Sequence, residues 1–185
     1  HLFNLKQNEK GLNYPVFDVS WIPSFKAAKK SMFSGKYFRT IEDVAKNGSK
    51  YILCCDYDTE GSTIGYNILR FICKQNDASR MKFSTLTKQD LIDAYDKMMP
   101  HLDWGNISAG ETRHYLDYFY GISTSRALMS AIKKNSKRFA ILSAGRVQAP
   151  ILVLLADREI KIKNFIPTPF WQVQLVLSFD GNDFI

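Results

Sequence analysis

The residues with the most obvious chemistry form one tight run, Asp56-Tyr57-Asp58-Thr59-Glu60-Gly61. Asp56 and Asp58 are two positions apart, so in extended chain both project to one side. Glu60 falls where a helix would begin and can approach the same spot. Carboxylates crowded in this way repel one another unless a cation neutralises them. Oxygen-only ligands select a hard ion. Magnesium takes one or two carboxylates, keeps several waters and adds phosphate oxygens from a substrate. The run therefore points to Mg²⁺ acting on a phosphodiester. The same acids also suit an ordinary helix N-terminus, whose dipole favours negative charge. The apolar segment directly before them and Gly61 directly after weigh towards the metal.

Those acids need elements to hold them. Lys50 to Cys55 is a short apolar run ending at the acids and reads as a buried parallel strand. Gly61 to Lys74 follows with Ile64, Ile68, Leu69 and Ile72 at helical spacing. Arg80 to Ser84 reads as a second strand, completing an α/β unit. In such units sites form at the carboxyl ends of strands, which is where the acids lie. Upstream, residues 1–25 mix Pro, Gly and aromatics and read as loop, with Pro15 and Pro23 as interruptions. Lys26 to Lys36 is basic, either a solvated face or a phosphate-facing patch. A helix is predicted from Thr40, with Thr40 as its cap.

After Thr87 the pattern turns helical. Thr87-Lys88-Gln89-Asp90 resembles a capping box, and Leu91, Ala94, Tyr95 and Met98 form an apolar stripe that Pro100 terminates. Three further helices are predicted: Ser108 to Tyr120, ended by Gly121, then Ser123 to Lys134, then about Gly145 to Ile162. The tail from Trp171 to Phe179 reads as a strand opening a new unit.

Composition narrows the function class. Of 185 residues, 45% are hydrophobic and 23% charged, which is enough apolar material for a core and argues against global disorder. The net charge of +7 favours a polyanionic partner, nucleic acid before membrane, though a lysine-rich solvated face fits as well. Cys54, Cys55 and Cys73 include no C-x-x-C pair, so zinc-ligand spacing and a disulfide framework are both unsupported, and a reducing cytosol is the default. No stretch approaches the roughly 18 apolar residues of a membrane span, and no signal peptide opens the chain. The chain starts at His1 without a Met, so the expectation is that the natural N-terminus is missing.

At this point the sequence resembles a family. Asp56-Tyr57-Asp58-Thr59-Glu60-Gly61 is similar to the D-x-D-x-E-G signature of Toprim domains, found in topoisomerases, primases and some nucleases. Downstream segments choose among these. Arg80-Met81-Lys82-Phe83-Ser84-Thr85-Leu86-Thr87 resembles the strand that closes the Toprim domain of type IA DNA topoisomerases. Ala109 to Tyr118 resembles the helix that follows. Ser143-Ala144-Gly145-Arg146-Val147-Gln148-Ala149-Pro150 is similar to their S-x-G-R-V-Q-x-P motif, and Arg158-Glu159 with Phe165 and Pro167 continues the pattern. Tyr14-Pro15-Val16-Phe17-Asp18 looks most like archaeal members, including the topoisomerase half of reverse gyrase.

The resemblance implies an α/β Toprim domain at 1–86, a partly parallel sheet flanked by helices with its N-terminal part missing. A mainly α-helical, winged-helix-like DNA-binding domain is then expected at 87–170, and the first strand of a gate or arch domain at 171–185. It implies relaxation of negatively supercoiled DNA through a 5′-phosphotyrosyl intermediate, with Mg²⁺ as cofactor. Asp56, Asp58 and Glu60 match the metal-binding and catalytic acids. Arg146 matches an arginine that engages DNA near the reacting phosphate, with Arg113 and Gln148 as further DNA-binding residues. The partners implied are single-stranded or negatively supercoiled DNA and the remaining topoisomerase domains, in the cytoplasm at the nucleoid, with no membrane involved. His1 resembles the His of a Gly-His-Leu segment in the family, although a terminal His is more often disordered. His114 reads as packing or solvated, and of Tyr115, Tyr118, Phe119 and Tyr120 at least half should serve the core rather than stack bases.

Two family features do not occur in these residues. One is a Glu after the first strand; the other is the nucleophilic Tyr followed two residues later by Arg. Tyr37-Phe38-Arg39 has that spacing but lies within the Toprim portion and reads as coincidence. Without an activated nucleophile covalent cleavage has no first step. The expectation is thus an enzyme as the full-length protein, and a chain that alone binds Mg²⁺ and single-stranded DNA weakly without turnover. The alternatives are a Toprim nuclease or primase-like enzyme, and a non-enzymatic DNA-binding module.

Overall fold

The computed structural model describes residues 1–136, 141–180 and 182–184. The chain divides into two compact units, His1–Arg146 and Val147–Ile185.

The first unit opens with an antiparallel pair, β1 (Phe3–Gln7) and β2 (Val19–Pro23), in the register Phe3 opposite Pro23 through Gln7 opposite Val19. This corrects the loop reading of residues 1–25. Gly11 and Pro15 belong to the connection and not to the strands. Pro23 ends β2, where a missing N–H is tolerated. Short helical turns at α1 (Ser24–Ala27) and Lys29–Ser31 lead into α2 (Ser34–Ala45). The predicted start at Thr40 is six residues late. Thr40 lies inside the helix, and its hydroxyl donates to the Lys36 carbonyl at 3.1 Å, a bond available only to an interior residue.

The α/β unit forms with shorter strands than expected: the run at Lys50 to Cys55 pairs only at its centre, and the second strand ends at Arg80 where Arg80 to Ser84 was predicted. Strand β3 (Ile52–Leu53) runs parallel to β4 (Ser79–Arg80), and α3 (Thr59–Phe71) is the crossover between them. Leu53, Leu69, Leu102 and Ile107 make the central cluster, with Tyr51, Cys55, Tyr66, Cys73 and Ala78 packed around it. Burying aliphatic side chains of this size stabilises by roughly 1.5–3 kcal/mol each.

Helix α4 (Lys88–Asp96) begins at the expected cap. Thr87 Oγ1 accepts from Asp90 N at 3.3 Å, and the Asp90 carboxylate accepts from Thr85 N at 2.7 Å. The two predicted helices around Gly121 are instead one, α5 (Trp104–Ser136), 33 residues long. Contacts on either side of Gly121 hold it straight: Tyr118 Oη accepts from Gln7 N at 2.9 Å and Ser123 Oγ accepts from Val16 N at 3.1 Å. A glycine inside a helix costs only about 1 kcal/mol, so such contacts override it. Helix α5 crosses α3 at Gly110, where a Cβ would stand 2.7 Å from the Thr59 carbonyl.

The second unit contains α6 (Gln148–Lys163) and an antiparallel pair, β5 (Leu177–Phe179) with β6 (Asn182–Phe184). Helix α6 starts at Gln148, three residues after the predicted Gly145. The predicted strand from Trp171 shortens to its last three residues. Among the described residues no helix is long and apolar enough to cross a membrane.

Candidate metal centre and nucleic-acid interface

The acidic run occupies the turn from β3 into α3. Asp58 is the N-cap: its backbone is extended (φ −134°, ψ 177°) and Oδ1 accepts from Gly61 N at 2.6 Å. An Asp at this position satisfies one of the amides that every helix start leaves without a backbone partner. Gly61 is required by close approach. A Cβ there would stand 2.5 Å from the Asp56 carbonyl oxygen, so any larger residue pushes the acid run off the helix.

The turn is fastened from below by Arg80, a residue that the sequence reading placed only in a strand. Its side chain is fully buried. Nη2 donates to the Asp56 carbonyl at 2.7 Å, and Nη1 donates to the carbonyls of Cys55 at 2.7 Å and Leu53 at 3.2 Å. A guanidinium presents its donors in a fixed fork, so the backbone of 53–56 is held in one geometry while the Asp56 and Asp58 side chains stay exposed. Beside the turn, Lys82 lies over the Tyr57 ring at 4.5 Å and pairs with Asp103 at 2.6 Å. The hydrogen bond from Lys82 holds the Asp103 carboxyl below its ordinary range.

Glu60 points elsewhere. Its Oε1 lies 2.9 Å from His1 Nε2 and 3.0 Å from His114 Nε2. Among the described residues, the one set of three His, Cys, Asp or Glu donors close enough to share an ion is His1, Glu60 and His114. Asp56 and Asp58 are not in it. Each acid of the run thus has its own surroundings: Asp58 caps, Glu60 meets two imidazoles, and Asp56 is fixed through its main chain. His1 was expected to be disordered. Instead its carbonyl accepts from the buried Ser24 hydroxyl at 2.9 Å, and Phe3 beyond it is buried. No local pattern could have joined His1 to Glu60 and His114, which come from three distant stretches of chain.

The arginines form a second cluster. Arg146 Nε donates to Asp117 Oδ1 at 2.7 Å, and Arg113 Nε lies 3.6 Å from Asp117 Oδ2. The hydrogen bond from Arg146 holds the Asp117 carboxyl below its usual value, with both arginine charges adding to the effect. Asp117 sits one turn along α5 from His114, so a single helix carries a partner for Glu60 and the anchor of the arginine pair. Arg146 was expected beside a helix start; it reaches back to α5. Gln148 opens α6 in the second unit. Among the aromatics of α5, Tyr115 accepts from Trp21 Nε1 at 3.1 Å, Tyr118 accepts from Gln7 N, and Phe119 packs on Phe17. Tyr120 is 45% exposed, so three of the four serve packing, as expected.

Comparison with known proteins decides the family. A Toprim domain model matches residues 1–86 and a DNA topoisomerase model matches residues 101–185. The chain belongs to the DNA topoisomerase family. Among its curated relatives, DNA topoisomerase 1 of Pyrococcus horikoshii is 41% identical over 186 residues, covering all of this chain and 27% of that protein. DNA topoisomerase 1 of Methanocaldococcus jannaschii is 40% identical over 180 residues, 96% of this chain and 23% of the relative. The bacterial DNA topoisomerase 1 of Campylobacter jejuni is 28% identical over 97% of this chain. The chain therefore spans about a quarter of the length of these topoisomerases, and its resemblance is strong among archaeal ones. Within the family frame, the Toprim match ends at residue 86, one residue before the Thr87 cap, and the topoisomerase match begins just ahead of α5.

Proposed function

We propose that this chain supplies the Mg²⁺-binding and part of the DNA-binding surface of a type IA topoisomerase. The whole protein relaxes negatively supercoiled DNA by cutting one strand through a 5′-phosphotyrosyl bond. The observation that carries the reading is the Arg80-fastened turn, which presents two exposed carboxylates at the carboxyl end of a parallel strand. That donor set fits a hard divalent ion, which binds through one or two carboxylates and fills its remaining positions with water and phosphate oxygens. Asp56 and Asp58 would hold the ion, with Glu60 as the third acid. Bound there, Mg²⁺ supplies positive charge to the scissile phosphate region. Arg146 and Arg113 contact DNA phosphate by leaving Asp117, a like-for-like exchange of one oxyanion for another. Gln148, at the start of α6 in the second unit, is a further DNA-binding residue. The tyrosine that attacks DNA belongs to the rest of the protein, as do the strand-passage partners. The family's domain boundaries are placed at 86/87 and 170/171, apart from the division into compact units at 146/147.

The test is a labelled single-stranded oligonucleotide mixed with the chain and Mg²⁺, quenched in denaturant and run on a denaturing gel. Salt-sensitive binding before the quench and no label on protein after it is the expected result. A covalent adduct would point to a tyrosine within these residues, with Tyr37, exposed on α2, examined first. Metal-dependent nicking that leaves a free 5′ phosphate would replace this reading with a Toprim nuclease.

A further inference from the structure

We propose that His1, Glu60 and His114 form a binding site for a borderline divalent ion such as Zn²⁺, separate in chemistry from the Mg²⁺ site at Asp56 and Asp58. The three side chains offer two imidazole nitrogens and one carboxylate oxygen, all within 4.8 Å of one another. Nitrogen donors of this kind suit zinc, copper, iron or nickel, whereas magnesium prefers oxygen. Two histidines and a glutamate also leave the fourth tetrahedral position open to water or to a phosphate oxygen.

The donors are positioned by the fold and not gathered by chance on a surface. His1 is pinned by its carbonyl to Ser24 Oγ at 2.9 Å, and Ser24 N donates to the Leu2 carbonyl at 2.8 Å. Glu60 stands in the first turn of α3, whose start is fixed by the Asp58 cap. His114 stands on α5 one turn after the close crossing at Gly110, and its ring is set by edge contacts to Trp21 at 5.3 Å and to His1 at 5.4 Å. Ligand bonds of about 2.0–2.1 Å in a tetrahedron put donors about 3.3–3.4 Å apart. Glu60 Oε1 stands 2.9 and 3.0 Å from the two nitrogens, and all three donors lie within 4.8 Å of one another, so an ion enters once the two imidazoles close by at most about 1.5 Å. The site shares Glu60 with the proposed Mg²⁺ acids but takes no ligand from Asp56 or Asp58, and Asp58→Asn keeps the cap that positions Glu60.

The experiment titrates the chain with Zn²⁺ by calorimetry in the absence of Mg²⁺, with its α-amine acetylated so that residue 1 offers only its ring. Co²⁺ serves as a spectroscopic stand-in. The expected result is one ion per chain and a visible Co²⁺ band of four-coordinate nitrogen and oxygen ligation. Replacing a direct ligand, in H114A or H1A, should weaken binding on the order of a hundredfold or more, beyond the tenfold-to-hundredfold typical of an outer-shell partner. The double variant Asp56→Asn, Asp58→Asn should retain full Zn²⁺ affinity. That arm separates this site from the Mg²⁺ reading, since loss of Mg²⁺ binding in the same variant leaves the Zn²⁺ result standing. Affinity unchanged in both histidine variants, affinity lost in the double aspartate variant, or a thiolate charge-transfer band from Cys54, Cys55 or Cys73 would each overturn the proposal. The Co²⁺ spectrum of the unmodified side chains reads the ligand type even where H114A fails to fold.

Discussion

The acidic turn and the arginine pair are both charged, yet they are built in opposite ways. The turn at 56–61 is fixed through its backbone: a fully buried guanidinium grips the carbonyls of Leu53, Cys55 and Asp56, and Asp58 caps the helix that follows. The turn is therefore held without any contact from the Asp56 carboxylate, and the Asp58 carboxylate is set by its own cap bond. Arg113 and Arg146 depend on one exposed partner, Asp117, at 3.6 and 2.7 Å. An exposed ion pair contributes little to stability, so that cluster is free to trade partners. A small metal ion rewards fixed geometry, and a moving polymer rewards exchangeable contacts. The molecule has one of each, joined by α5.

This contrast can be broken most severely at Arg80. Replacing it by Met removes the guanidinium donors to the partly buried Cys55 and Asp56 carbonyls and should destabilise the chain by about 3 kcal/mol. Lys should recover little of the loss, since one ammonium cannot reproduce the fork. Urea midpoints of wild type, R80M and R80K decide the matter; near-equal midpoints would mean the turn is held by something else. Next in size is Gly61→Ala, whose Cβ meets the Asp56 carbonyl at 2.5 Å. A cost of about 1–3 kcal/mol is expected, together with weaker Mg²⁺ binding by calorimetry.

The arginine side should respond in DNA affinity instead of stability. Arg146→Ala should leave the urea midpoint nearly unchanged and flatten the salt dependence of single-stranded DNA binding by about 0.7 in log–log slope, one phosphate contact's worth. Anisotropy titrations across salt concentrations measure it, and an unaltered slope removes Arg146 from the DNA surface. The smallest effect concerns Asp117. Its carboxyl titrates below the ordinary 3.8, chiefly through the hydrogen bond from Arg146. A depressed folded value stabilises above the unfolded value, and that contribution is lost as pH falls through the folded one. The slight stability difference between wild type and Asp117→Asn should therefore be present near neutral pH and fade as pH drops below about 3.8. A difference that grows in acid would contradict the pairing.

The parts legible in the sequence were those governed by neighbours along the chain. The apolar run before Asp56, the helix after it and the Thr87 cap all follow from local pattern, and each forms where expected to within a few residues. The parts that were not legible depend on distant contacts. Gly121 signals a helix end locally, but Gln7 and Val16 bond to α5 on both sides of it. Residues 1–25 read as loop because Gly11 and Pro15 dominate their composition, although both lie in the connection between two paired strands. The partners of Glu60 were the hardest to see. The resemblance pointed from Glu60 to the two aspartates beside it, while its side chain meets His1 and His114, 59 and 54 positions away.

Helix α5 has one further consequence. At 1.5 Å per residue its 33 residues make a rod about 50 Å long. Near one end it touches Thr59 and Glu60; further along, Arg126 donates to the Asn13 carbonyl and Gln7, and Ser125 accepts from Ala144 N three residues before Val147. An unbroken rod pivots as a whole. His114, which meets Glu60, and Ser125, which meets Ala144, are therefore held about 16 Å apart along one axis, and Gly121 between them adds no break.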